Sequence, residues 1–393
     1  MKSIRFTALI TLAFTALVLF AHYGPEAWWM LFSESHRTPF INYSCISDDF
    51  VVSRVGENGL IYESTKGEEL DRAQAEALLP LFNASQLVQE GRMPTEIKGV
   101  NIDLSRLRHE RSFLRLKPEE IDSSIVNLRP LFDNGTGRVE LEEPEDFLRL
   151  GKSAEFVKAK GNSLDKGKSA LFTEALNKTG FVFPARLVAS NPSTRKAYDE
   201  GVYALDSEGK LFRIRLFAEE ARIERVADSM SDADRDAFAA INVAFMSVQE
   251  QSNGRIRLLF LDEKGGVWLL VGKEYHPVRL PLGSYKPSED DLMIRGDMLN
   301  YMATASGEGF VECIAFDRDF NLLDRYEEAL PKDRDGLAAT LADVIFPFAL
   351  EFDSGNSSYL GFHVQKGSIL SLPFYLVLAL IVWGIRRARA VAK

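Results

Sequence analysis

Two uncharged apolar runs, one at each end of the chain, constrain this sequence more than anything between them. Phe6 to Pro25 reads FTALITLAFTALVLFAHYGP, twenty residues without a full charge. At about 1.5 Å of rise per residue, a helix over this run spans about 30 Å, the hydrocarbon thickness of a bilayer. Lys2 and Arg5 precede the run, and Trp28 and Trp29 follow it, where an aromatic belt sits at a membrane surface. Gly367 to Ile385 reads GSILSLPFYLVLALIVWGI, nineteen residues with no polar face. Pro373 falls in its first turns, where a missing amide donor costs little. Trp383 sits near its far end, before Arg386, Arg387 and Arg389. These eight basic and tryptophan residues are the expected membrane-interface anchors. The alternative for the first run is a cleaved signal peptide, but no small-x-small cleavage site follows it.

The basic residues lie before the first run and after the second, so the positive-inside rule puts both termini in the cytoplasm and the segment between them outside. The expected layout is an anchor over residues 1–25, an extracytoplasmic domain over 26–366, and a second anchor with a basic tail over 367–393. The formal net charge of −10 hides this division. Residues 26–366 hold 41 Lys and Arg against 57 Asp and Glu, a net of −16. Such acidity argues against a nucleic-acid partner. Hydrophobic residues at 46% and charged residues at 26% exclude both a disordered chain and a polytopic membrane protein.

Within the middle segment a hairpin form recurs. VYALDSEGKLFRIRL from Val202 is an apolar strand, an acidic glycine turn and an alternating strand. LLFLDEKGGVWLLVG from Leu258 repeats it, and CIAFDRDFNLLDRY from Cys313 repeats it without the glycine. The turn aspartates Asp206, Asp262 and Asp317 are 56 and 55 residues apart, and another step back reaches Gly151 in FLRLGKSAEFVKA. An earlier hairpin, FVVSRVGENGLIYE, turns at Asn58–Gly59. Hairpins at this period predict a mainly β, propeller-like domain of about five blades with minor helices. The alternative is an irregular α+β domain whose hairpins merely look alike. A closed ring brings first and last strands together, as two anchors leaving one domain require. Helices are expected over Glu68–Leu81, after the N-cap Ser231 through Phe238, Ile241 and Phe245, and over Ser169–Leu176.

Catalytic signatures are missing from the sequence. Asp232-x-Asp234-x-Asp236 resembles the start of a calcium loop, but Ala237 and Val243 stand where glycine and glutamate are needed. Asp333-Arg334-Asp335-Gly336 fails the same test and reads as a turn and cap. No two of the five histidines lie within four residues, and there is no GxSxG, Walker A or GxGxxG sequence. No metal or cofactor is expected. Cys45 and Cys313 lie outside the cytoplasm in this layout, so a disulfide between them is permitted, with two buried free thiols as the alternative. The densest local feature is Arg195, Lys196, Tyr198, Asp199 and Glu200, charges and an aromatic beside a strand. It reads as a loop with internal salt bridges, or as a contact surface for a partner.

KSALFTEALNKTGFVFPA followed by KAYDEGVYALDSEGKLFRI resembles the bacterial domain-of-unknown-function family four-eight-five-seven, as do TPFINYSCISDDF and LLPLFNASQLVQEGRMPTEIKG. The resemblance implies a membrane-anchored bacterial protein accompanying ABC-type transporter components, and it supplies no active-site residues. The expected function is a non-catalytic accessory subunit in the bacterial inner membrane, with a periplasmic partner- or cargo-binding domain and, as partners, the lipid bilayer and the permease and ATPase of a transporter. The alternatives are a membrane-tethered ligand sensor or binding module and, behind it, a propeller-type hydrolase.

Overall fold

A computed structural model describes residues 2–33, 37–57, 59–121, 128–138, 140–196, 198–332, 336–352, 360–364 and 368–391. The chain divides into two compact units, residues 38–328 and the two terminal segments 1–37 and 329–393.

The larger unit is mainly β with some helices, built as successive antiparallel meanders. The first sheet runs Phe40–Ser44, Asp49–Gly56, Gly59–Ser64, Glu69–Leu70, and the second Arg129–Pro130, Asp146–Leu150, Ala154–Lys158. The third is Leu187–Ala189, Val202–Leu205, Leu211–Phe217, Glu220–Arg225, and the fourth Val243–Val248, Ile256–Asp262, Val267–Val271, His276–Leu280. The fifth is Asp291–Gly296, Tyr301–Gly307, Phe310–Phe316, Leu322–Ala329. Ser112–Leu116, from much earlier in the chain, adds to its Asp291–Gly296 edge, with Leu292 opposite Leu116 and Gly296 opposite Ser112.

From the second sheet to the fifth, consecutive sheets share cores, and strand alternation explains how. In Val202–Leu205, Val202 and Ala204 face the second sheet with Leu148, Phe156 and Phe172, while Tyr203 and Leu205 face the fourth with Met246 and Phe260. In the fourth sheet Leu258 and Phe260 join that core, whereas Leu259 and Leu261 turn to Leu292, Ile294 and Ile314 of the fifth. Side chains two apart share a face, so a strand buried on both faces reads as an unbroken apolar run. Cys45, Leu81, Leu107 and Met298 fill a smaller core between the first and fifth sheets.

The three aspartate turns are built alike. The Oδ1 of Asp206 accepts from the N–H groups of Glu208 and Lys210 at 2.9 and 2.8 Å. Asp262 does the same with Lys264 and Gly266, and Asp317 with Asp319 and Asn321. The residue three beyond each aspartate is left-handed: Gly209, Gly265 and, where glycine is missing, Phe320 at φ +62°. The Asp206 and Asp262 turns join the middle strands of their sheets, but the Asp317 turn joins the last two. The 55-residue rhythm therefore belongs to hairpins and is out of phase with whole sheets. Gly151 does lie in the turn between Asp146–Leu150 and Ala154–Lys158. In the first sheet Gly56 pairs with Gly59, so Gly59 begins a strand rather than closing the turn, and Asn58 lies outside the described residues.

The helices depart from their expected bounds for local reasons. Glu69–Leu70 is a strand edge, and the helix that follows is Arg72–Leu78, started by a capping box between Asp71 and Gln74. Ser231 caps Asp232–Ala239 as expected, but Phe245 lies in a strand. Phe238 packs between the third and fourth sheets and Phe245 between the fourth and fifth, so the helical spacing there was coincidental. The helix expected over Ser169–Leu176 runs Lys166–Lys178 and buries Phe172 and Leu176.

The second unit holds the helices Lys2–Phe32, Gly336–Ile345 and Ser368–Val391 and the hairpin Phe348–Phe352/Leu360–Val364. The first helix runs on through Pro25, beyond the expected anchor. Gly24 lies against Phe346, whose ring would be 2.5 Å from a Cβ there. His22 donates from Nδ1 to the Leu350 carbonyl at 2.8 Å, and Trp28 donates from Nε1 to Ala338 at 3.1 Å. Among the described residues one helix is long and apolar enough to cross a membrane: Phe6–Phe32, with a mean hydropathy of 1.8. The second expected span is shorter, its described apolar stretch being Ile369–Ile385. The Asp333–Asp335 turn lies outside the described residues.

Candidate functional site

The segment singled out beside the third sheet is an internal ion network. Glu200, just before Val202–Leu205, is fully buried. Its carboxylate accepts from Arg213 at 2.7 Å, from the Tyr203 hydroxyl at 2.9 Å and from Arg257 of the fourth sheet. Lys196 donates to Asp199, to Glu250 Oε1 at 3.1 Å and to the Asn191 carbonyl at 3.0 Å, and lies 4.5 Å from the centre of the Phe132 ring. The second oxygen of Asp199 accepts from Asn134 at 2.7 Å. Glu250, just beyond the fourth sheet's first strand, also accepts the Glu200 N–H at 2.6 Å. Three cations thus meet three carboxylates between two sheets.

Burial raises the pKa of Glu250 despite its hydrogen bonds to Glu200 and Lys196. Burial opposes the charge on Arg257, but Glu200 outweighs it and holds that pKa above the ordinary value. Of the five residues read as a partner surface, Lys196, Asp199 and Glu200 have side chains at most 2% exposed and answer one another inside the fold. Arg195 is exposed and Tyr198 half-buried. Both line a polar cavity of about 970 Å³ with Asp133, Arg138 and Arg215.

A second cavity, of about 350 Å³, lies between the first and fifth sheets. Leu79, Leu81, Phe82 and Phe113 form its walls, and Arg111, Ser112, Arg295 and Asp297 its polar lining. Asp297 follows the strand Asp291–Gly296, and its Oδ1 accepts from the N–H groups of Leu299 and Asn300 at 2.7 and 2.9 Å. Burial raises its pKa against the pull of those bonds and of Arg318 and Arg111. Arg295, Ser112 and Asp297 carry no motif. The alternation in Ser112–Leu116 is the one sequence signal that points here, and it marks a strand, not a pocket.

Of the two readings of the cysteines, the structure has Cys45 and Cys313 as free, buried thiols. Cys45 packs on Leu81 and Met298 and lines the smaller cavity, while Cys313 sits in Phe310–Phe316, 3.6 Å from the Thr304 hydroxyl. Burial pushes both thiols up to about 11. Of the expected interface anchors, Trp28 and Trp29 are half-buried. Trp383 is exposed, with Arg387 5.1 Å from its ring centre. The side chains of Lys2, Arg5, Arg386 and Arg389 lie outside the described part. Among the described residues no three His, Cys, Asp or Glu side chains group as a metal site.

Fold and sites together define a mainly β protein of stacked antiparallel sheets accompanied by a unit of apolar terminal helices. The chain belongs to the family described as Domain of unknown function (DUF4857), which it matches over residues 40–316. No curated protein matches it. Among solved structures, it is similar to the β-propeller domain of Myceliophteria thermophila Cps50 (Swd1) at 7% identity, over 76% of this chain and 89% of that one, with a TM-score of 0.23. It is also similar to dihydro-heme d1 dehydrogenase NirN in complex with DHE, at 10% identity over 75% and 69%, with a TM-score of 0.22.

Proposed function

We propose that the protein is a non-catalytic, membrane-anchored accessory subunit of a bacterial ABC-type transport complex. In this reading both termini are cytoplasmic, and the β unit is a five-bladed propeller that binds a partner or cargo on the other side of the membrane. The observation that carries the proposal is the outward-facing apolar surface of the terminal helices. Leu12, Phe14, Leu372 and Leu376 are all at least 60% exposed, along helices that belong to one compact unit. Apolar surface on that scale calls for lipid or a partner helix around it. Shared cores between consecutive meanders support the propeller. The test is purification in mild detergent from the native host, followed by mass spectrometry. A permease and its ATPase are expected to copurify, and recovery of the protein alone would overturn the accessory role. The cavity between the first and fifth sheets favours a second reading, a membrane-tethered binding module for a small ligand.

A further inference from the structure

The cavity between the first and fifth sheets holds a cation that no carboxylate among the described residues pairs with. Arg295 donates from Nη2 to the Ile41 carbonyl at 2.7 Å, and its guanidinium lies 4.6 Å from the centre of the Phe40 ring. Its Nε is buried with no acceptor among the described residues. Among those residues no carboxylate oxygen pairs with it, and burial holds its pKa below the ordinary value. The Ser112 hydroxyl, on the neighbouring strand, is buried without a hydrogen-bond partner among the described residues. Gly296 is opposite Ser112 on the other face of the sheet from Arg295, and a Cβ there would meet the Tyr301 ring at 2.3 Å and Ser112 Oγ at 2.4 Å. Asp297 is the acid of the lining, and Arg318 and, less strongly, Arg111 act on it electrostatically. That leaves the Arg295 charge in surplus. Phe82 and Phe113, more than half exposed, stand at the apolar wall.

We propose that this pocket binds a small organic carboxylate with an apolar body, its carboxylate meeting Arg295 and its body lying against Phe82 and Phe113, the latter paired with Arg295 on the same face of the sheet. An unpaired guanidinium in an apolar setting gains most from an anion that brings charge-assisted hydrogen bonds. About 350 Å³ equals the liquid volume of roughly a dozen water molecules at ~30 Å³ each, room for a small organic acid. The proposal deepens the binding-domain reading, but it rests on the pocket alone, so its test and the copurification test fail independently.

Cys45 lines this pocket and Cys313 does not; Cys313 is fully buried and only senses the Arg295 charge, so it reports opening of the fold rather than direct cover by a ligand. Alkylation of each thiol in the full-length protein is followed by mass spectrometry, with phenylpropionate as probe and phenylpropionamide as its neutral counterpart. The carboxylate is expected to slow modification of Cys45 about tenfold at saturation while leaving Cys313 unchanged, and the amide to leave both unchanged. Arg295→Met should weaken the carboxylate about tenfold, and Arg295→Lys should retain most of the effect. Equal protection by acid and amide, equal slowing at both thiols, or no protection at all would each overturn the proposal. The wild-type comparison stands even where a variant fails to fold.

Discussion

Asp262 organises a turn with one side chain. Its Oδ1 takes two backbone N–H groups and its Oδ2 takes the Trp268 indole N–H at 2.9 Å, so loop and following strand are tied to the same residue. Burial works to raise its pKa, but these bonds outweigh it and the net shift is downward; Asp317 shows the same balance. A carboxylate with a lowered folded pKa stabilises above its unfolded value, near 3.9, and that stability is lost as pH falls through the folded pKa. Asp262→Asn sets an amide against the indole N–H and should cost about 1–3 kcal/mol at neutral pH. The gap in Tm between wild type and this variant is expected to stay constant above about pH 5 and to narrow below about pH 4. Calorimetry across that range checks it, and a gap that widens in acid would contradict the assignment. Phe320 shows the same turn adapted. It adopts the left-handed conformation without being glycine because its ring stacks on Tyr301 at 4.6 Å inside the fourth–fifth core.

At the scale of elements, neighbouring sheets are joined by apolar cores and, between the third and fourth, by the ion network as well. The network is closely balanced, so removing one member leaves a buried charge unanswered. Lys196→Met strips the shared cation from Asp199 and Glu250 and should destabilise by about 3–5 kcal/mol. Arg195→Met, one residue away and exposed, should change stability by less than about 0.5 kcal/mol. Urea denaturation of both variants tests this, and equal effects would argue against the network's structural role. Residues 195–200 are legible in the sequence as a dense charged cluster, but their burial is not. Burial follows from Arg213, in a neighbouring strand, and from Glu250, just beyond the fourth sheet's first strand.

At the scale of the molecule, the proposed topology makes a distinct prediction. Alkaline phosphatase, active only outside the cytoplasm, should be active when fused after residue 328 and inactive when fused after the terminal Lys393. Activity at both positions would remove the second membrane crossing. Ser112–Leu116 belongs to this scale too: it pairs with a strand almost 180 residues later, setting the first sheet's segment beside the fifth and creating the smaller cavity. Pairing at that separation depends on the whole chain having folded, because nothing local marks the partner.

By itself the sequence determined what short-range physics controls: apolar ends, acidic middle, alternating strands, aspartate turns and the Ser231 cap. Each depends on residues within about a dozen positions of one another, where periodicity and turn chemistry act directly. The tertiary structure alone decided which charges are buried, that the two cysteines stay apart, that the hairpin rhythm slips out of phase with the sheets, and that Arg295 faces a cavity. These depend on which strands become neighbours across the fold, and a side chain's charge or shape carries no record of the distant residue that will meet it.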